Sequence, residues 1–430
     1  MTQTLTQSNA IRNVHRTVQD NGIVLLVTEN PAADIIATRL FLRTGSRWEP
    51  KEKAGLSHLL SAVLTKGTDH LSSLEIAEQV ESVGAKLSAD TSTDYFLLSL
   101  KTVASDFEDI LSLTGQLLRS PSFPEAEIEL ERRITIQGIR SQREQPFSVA
   151  FEQLRQQMYQ HHPYALSTLG TEASVSQLSR ADLQEFHQTY FRPDNLIISI
   201  AGRITPEEAA EQIQRVFGDW TAPQTPLPTL SLPTLTSIPQ NAITPQETQQ
   251  SVVMLGYLTS CVNHEDYSAL KVLNTYLGNG LSSRLFVELR EKRGLAYDVS
   301  AFFPTRLDQS QFVVYMGTAP ENTEIAIDGL RTEVERLVNL PLTPDELQVS
   351  KNKLLGQYAL GKQTNSQLAQ IYGWDECLGL GIEFDTEFQT NIAAVTSAET
   401  LRVAKHYFIE PYLSVVGPEA FVNSFSVSQS

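Results

Sequence analysis

SRADLQEFHQTYFRPDNLIISIAG, residues 179 to 202, and TSAETLRVAKHYFIEPYLSVVG, residues 396 to 417, are two copies of one pattern. Each opens with a hydroxyl residue, Ser179 or Thr396, and places an acid three positions on, Asp182 or Glu399. That pairing satisfies the orphan NH groups of a helix start, so each predicts a capped helix. Each helix ends in Tyr-Phe, at Tyr190-Phe191 and Tyr407-Phe408, and a short apolar strand follows, closing on Gly202 or Gly417. The boxes and the Tyr-Phe pairs share one offset of 217 positions, which reads as a duplicated domain.

Between the copies lies TAPQTPLPTLSLPTLTSIPQNAITPQ, residues 221 to 246, with six prolines, no glycine and no charge. Proline holds such a stretch extended, so it reads as a semi-rigid linker. The expected division is a first domain over 15–220, a linker over 221–246 and a second domain over 247–425. Within the first, IIATRLFLRTG (35 to 45) alternates like a half-buried strand, and residues 86 to 101 read as a hairpin turning around Thr91 to Thr93. YDVSAFF (297 to 303) and QFVVYMG (311 to 317) repeat that hairpin in the second. Helices interleave, including SSLEIAEQVESV before Gly84 and TPDELQVSKNKLLGQYAL after Leu342. The fold class is α+β, with two homologous α/β-layer domains.

Composition limits the partners. The 430 residues carry a formal charge of -17, which argues against a nucleic-acid surface of clustered Lys and Arg. An apolar share of 41% with 19% charged residues is that of a folded globular protein. Cys261 and Cys377 read as reduced thiols, neither a disulfide framework nor a metal cluster. MTQTLTQSNAIRNVHRTVQD has no apolar signal core, and no stretch approaches a membrane span, so a cytoplasmic location is expected. No nucleophile elbow and no phosphate loop occurs, which counts against a hydrolase using some other site.

In AGLSHLLSAVLTKGT (54 to 68), Leu56, Leu59, Leu60, Val63 and Leu64 form the apolar stripe of an amphipathic helix. His58, Ser61 and Ala62 fall on the opposite face. With GSRWEP at 45 to 50, this block resembles the pitrilysin/insulinase metallopeptidase family, in its mitochondrial-processing-peptidase-like branch. The resemblance covers roughly residues 20 to 420 and implies a clam-shell of two peptidase-type domains. Active members carry H-x-x-E-H here, two zinc-binding histidines around a general-base glutamate, with a third ligand about 76 residues downstream. On this chain His58 matches the first histidine, Ser61 the base, Ala62 the second histidine and Gly138 the third ligand. Neither Ala nor Gly has a ligand atom, and one ligand of three cannot hold a catalytic zinc. The resemblance therefore implies no metal in this chain, inactivity alone, and zinc on a partner. His58 itself is expected to be an exposed helix residue. The pair His161-His162 falls in a structural loop, since adjacent residues do not share a helix face.

LGNGLSSRLFVELREKRGLAYDVSA, residues 277 to 301, follows the family closely. Relatives present an arginine and a tyrosine seven residues apart opposite the zinc, and Arg290 and Tyr297 have that spacing. A guanidinium and a phenol can donate to the oxyanion of a tetrahedral intermediate and to substrate backbone. The plainer alternatives are an Arg290 paired with Glu288 or Glu291 and a Tyr297 buried as core. Gly278, Asn279 and Gly280 form a turn into a helix start that could let a peptide backbone approach. The implied function is the non-zinc subunit of a heterodimeric zinc peptidase acting on unfolded or extended peptides, with a homodimer possible when alone. The alternative is an inactive peptide-binding or scaffold protein of the same fold.

Overall fold

The computed structural model describes residues 14–422; the N-terminal segment before them and positions 423–425 of the second expected domain lie outside the described residues. The first half supplies β1 (Val14–Val18), β2 (Val24–Glu29), β3 (Ile35–Leu42), β4 (Lys86–Thr91), β5 (Phe96–Val103) and β6 (Leu196–Gly202), in the order β1-β2-β6-β3-β5-β4. Its helices are α1 (Leu56–Val63), α2 (Ser73–Ser82), α3 (Phe107–Arg119), α4 (Glu125–Arg143), α5 (Pro146–Tyr159), α6 (Glu172–Gln177), α7 (Arg180–Tyr190) and α8 (Pro206–Phe217). The second half supplies β7 (Asn241–Pro245), β8 (Ser251–Thr259), β9 (Ala296–Phe302), β10 (Ser310–Thr318) and β11 (Tyr412–Gly417), ordered β7-β11-β8-β10-β9. With it come α9 (Tyr267–Gly278), α10 (Thr323–Asn339), α11 (Pro344–Leu360), α12 (Asn365–Cys377), α13 (Phe384–Ala394), α14 (Ser397–Tyr407) and α15 (Glu419–Val422).

Apart from β1, the two sheets have one strand order. The β2–β6 and β7–β11 pairs are parallel and their other neighbours antiparallel, so the duplication extends to every strand of the second sheet. Both capping boxes form as read, with Ser179 and Asp182 on α7, and Thr396 and Glu399 on α14, each exchanging bonds. The end of the proline-rich stretch is not all connector, because residues 241 to 245 form β7 at the edge of the second sheet.

Each half lends one helix to the other. From the first half, α5 lays Ala150, Leu154 and Met158 on Val252, Met254 and Val416 of the second sheet. Gln153 donates to Ser414 Oγ at 2.7 Å and accepts from Thr244 Oγ1 at 2.6 Å. In return, α12 lays Leu368, Ala369 and Tyr372 on Leu26, Phe41 and Ile197 of the first. This corrects the expectation of a half-buried β3. Ile36, Leu40 and Leu42 face their own half's helices, while Phe41 on the other face is covered by α12. A sheet covered on both faces has no solvent side, so alternation no longer reports exposure. Among the described residues, no helix is long and apolar enough to cross a membrane.

Candidate functional site

The motif GSRWEP is built into the start of α1. Ser46 and Arg47 donate their amides to the carbonyls of Ser92 and Thr93 at 3.1 and 3.2 Å. The chain passes so close to that turn that a Cβ on residue 45 would stand 2.5 Å from Ser92 O, which is why Gly45 is glycine. Glu49 then accepts from the amides of Gly55 (2.8 Å) and Ser57 (2.6 Å) and from the Ser57 hydroxyl, capping α1. Burial pushes its carboxyl up to about 7, against those hydrogen bonds. A carboxyl raised in the folded state binds its proton more tightly there than in the unfolded chain. Its contribution is therefore fully present below the unfolded value near 4.5 and is lost as pH rises through about 7. Across that window Glu49→Gln should gain stability relative to the parent, by up to about 3 kcal/mol. Urea unfolding at pH 5 and pH 8 checks this; a stability difference that does not change with pH removes Glu49 as the titrating group.

His58 lies on α1 where that helix packs on α4 and β4, and it is half-buried. This corrects the expected exposed histidine: the opposite face of α1 is covered by its neighbours. Burial lowers the His58 pKa, while the nearby Asp90 and Glu131 carboxylates oppose that shift. Ser61 is buried and donates to the His58 carbonyl at 2.7 Å. Glu131 is engaged by Lys66 at 3.2 Å. Gly138 stands on α4 with nothing within 4 Å of where a side chain would begin. Among the described residues, no group of three or more His, Cys, Asp or Glu side chains is placed to hold a metal ion. Of the inherited ligand positions only His58 offers a donor atom, so these residues do not fit a catalytic zinc.

Arg290 and Tyr297 both sit at local irregularities. Arg290 lies in a π-helical turn, Phe286–Glu291, where Lys292 N bonds back to Val287 O at 3.0 Å. Its guanidinium stacks 5.1 Å from the centre of the Phe286 ring. Neither neighbouring acid pairs with it. Glu288 is taken instead by Arg284 at 2.9 Å and Lys292 at 2.8 Å, and no ion pair to Arg290 occurs among the described residues. Single π turns of this kind are frequent at functional sites.

Tyr297 is the extra residue of a β-bulge. On β10, Gly317 pairs with Asp298 and Thr318 with Ala296, leaving Tyr297 unpaired in the register. Val299 and Ala301 are buried, and plain alternation would send residue 297 inward with them. The bulge re-aims it, and Tyr297 is 60% exposed rather than core. It lines a cleft of about 550 Å³ with Pro146 and residues 248 to 250. Pro146 begins α5 just after α4, so the tyrosine faces the foot of the helix that carries Glu131 and Gly138.

The Gly278-Asn279-Gly280 turn divides by role. Gly278 is the last residue of α9 and is buried against β9, accepting from Ser300 Oγ at 2.6 Å. A Cβ there would stand 2.6 Å from Ala301 Cα and closer still to its amide nitrogen. Its glycine is thus a packing requirement. Asn279 is bridged to α11, through Gln357 at 2.6 Å and the Lys353 ammonium on its carbonyl. Gly280 is exposed with a φ of 80°, and its carbonyl accepts from the Ser283 amide at 3.0 Å, closing the turn. His162 is buried and accepts from the Tyr164 amide at 3.1 Å, a loop role. Cys261 and Cys377 are both free thiols, with Cys377 buried.

Sequence reading passed over a buried polar network that joins the halves. Arg47 donates to Asp94 at 3.0 Å and pairs with Asp308 at 2.8 Å, while Tyr164 donates to Asp94 at 2.6 Å. These residues come from four separated segments, and nothing local marks them as neighbours.

Two like sheet-and-helix units joined in one chain, with a zinc helix reduced to one ligand position, define a metallopeptidase-type protein without its metal site. The family model described as Insulinase (Peptidase family M16) matches residues 24–172, and the Peptidase M16 inactive domain model matches residues 177–354. The chain belongs to this pitrilysin/insulinase family, as a member lacking the zinc motif. It is 27% identical over 407 residues to the uncharacterized zinc protease YmxG of Bacillus subtilis, covering 94% of this chain and 98% of that protein. It is also 27% identical over 425 residues to the uncharacterized zinc protease SCO5738 of Streptomyces coelicolor, covering 97% and 92%. The fold matches a solved peptidase M16 inactive domain from Pseudomonas fluorescens with a TM-score of 0.88, at 22% identity over 94% of this chain and 98% of that one. A Helicobacter pylori protease gives 0.87, at 22% identity over 94% and 99%.

Proposed function

We propose that this chain is the non-zinc subunit of a two-chain zinc peptidase, lending Arg290 and Tyr297 to a chamber completed by a homologous zinc-bearing subunit. One observation carries the reading. The chain has lost the ligands, yet it holds an arginine with no ion-pair partner among the described residues and an exposed tyrosine, at two backbone irregularities seven residues apart. Irregular backbone that serves no core is retained where it aims a side chain.

The metal and general base would come from the partner and would supply the activated water. This chain's own residues then have two tasks. The Arg290 guanidinium and the Tyr297 hydroxyl donate to the carbonyl oxygen on which charge develops, and to the adjoining substrate backbone. The strands β4 and β9 each end a sheet and pair on one side only, so an extended peptide can add to either edge through main-chain bonds. The formal net charge of the chain, -17, favours peptides carrying basic residues.

The test is co-purification of the tagged chain from its native cell, with mass spectrometry and zinc determination on each species. The expected result is a stoichiometric partner of similar size bearing H-x-x-E-H and the zinc, with this chain metal-free. Recovery of this chain alone, or with unrelated subunits only, overturns the split peptidase and leaves the scaffold alternative.

A further inference from the structure

A cavity of about 340 Å³ opens between the halves beside the end of β4. Its lining includes Arg155 of α5, Arg306 of the β9–β10 loop, Thr91, Ser92, Tyr164 and Asp90. Arg155 is half-buried, and its Nε donates to the Ala165 carbonyl at 3.2 Å. Its two terminal nitrogens have no hydrogen-bond partner, and it has no ion pair, among the described residues. Arg306 stacks 5.0 Å from the centre of the Tyr164 ring, and its nearest acid is Asp94 at a loose 3.8 Å. Asp94 is already engaged by Arg47 and Tyr164. The one carboxylate on the lining, Asp90, is exposed and accepts from the Thr91 amide at 2.7 Å.

Two guanidiniums thus share one cavity, Arg306 at 3.8 Å from Asp94 and Arg155 stacked 5.7 Å from the centre of the Phe151 ring, with no acceptor hydrogen-bonded to the terminal nitrogens of either among the described residues. Burial lowers the Arg155 pKa, the Glu152 carboxylate opposes that shift, and the neighbouring Arg306 charge adds to it. A desolvated guanidinium whose terminal nitrogens lack an acceptor is costly, and an arginine fork is shaped for a carboxylate. We infer that this cavity is a carboxylate receptor, in which Arg155 and Arg306 together take a carboxylate of a peptide bound between the halves. The inference rests on the peptide-binding part of the proposed function, although it needs no partner subunit and no metal. The carboxylate has two possible sources, the peptide's C-terminus or an acidic side chain.

The experiment uses the full chain and three hexapeptides of alternating valine and threonine, each labelled at its N-terminus with an uncharged coumarin dye. One is a free acid, one a C-terminal amide, and one an amide with a single glutamate. Fluorescence anisotropy is measured on the parent, Arg155→Gln and Arg306→Gln, with circular dichroism to verify folding. The free acid or the glutamate peptide should bind roughly tenfold or more tightly than the neutral amide. Which of the two gains identifies the source, and the gain should vanish in both variants. Equal binding of all three peptides by the parent overturns the carboxylate site while peptide binding itself stands. A gain that survives in both variants places the carboxylate elsewhere and overturns it too. No binding by any of the three overturns it without touching the co-purification result. The parent comparison requires no variant, so misfolding of Arg155→Gln cannot mask the outcome.

Discussion

In the proposed two-chain enzyme, once reconstituted, Arg290→Ala and Tyr297→Phe are each expected to lower kcat by roughly 10- to 1000-fold, the range for loss of an oxyanion donor. The loss should fall mainly on kcat, because a donor aimed at developing charge matters most in the transition state. The structure makes both substitutions clean. Tyr297 is exposed and gives its hydroxyl to no protein group among the described residues, so removing that oxygen leaves nothing unsatisfied. The Arg290 guanidinium has no hydrogen-bond or ion-pair partner among the described residues and stacks on the Phe286 ring, and an exposed contact of that kind is worth about 0.5–1 kcal/mol. Folding and association with the partner should therefore be preserved, as gel filtration of the mixed chains would verify. Turnover unchanged in both mutants would sink the catalytic assignment, whatever the partner proves to be.

The second large effect is structural. Gly278→Ala should destabilise the second half by about 3 kcal/mol or more, or prevent its folding. The new methyl would collide with the backbone of Ala301, and backbone within a paired strand cannot step aside as a side-chain end can. Either α9 withdraws from β9 or the strand shifts in register, and both uncover the apolar packing around Leu277 and Val299. Chemical denaturation of the isolated chain measures it. An unchanged midpoint would mean that the helix and strand separate freely, and Gly278 would then return to the peptide-binding role expected from its sequence context. Gly280→Ala is the companion test. Its Cβ would meet only the end of the Lys353 side chain, so its cost is the left-handed backbone alone, about 1–2 kcal/mol.

Much of this molecule is legible without coordinates, for a local reason in each case. The capping boxes at Ser179 and Thr396 form because a helix start needs an oxygen acceptor within three residues, wherever the helix lies. The missing zinc site is read with equal directness, since Ala62 and Gly138 have no donor atom in any conformation. The duplication follows from one spacing repeated along the chain, and the strand order of both sheets agrees with it.

What only the tertiary structure decided involves residues brought together from different segments. In the exchange of helices α12 covers the second face of β3, whose alternating sequence suggests a single buried face. His58 is half-buried because α4 and β4 close over a helix face that periodicity alone leaves to solvent. The exposure of Tyr297 depends on a bulge against β10, a matter of partner register that its own strand does not encode. Arg155 and Arg306 share a cavity only because α5 crosses to the other half. Residue identity and short-range spacing determine which chemistry is available in this chain; long-range packing determines which of those groups face a substrate.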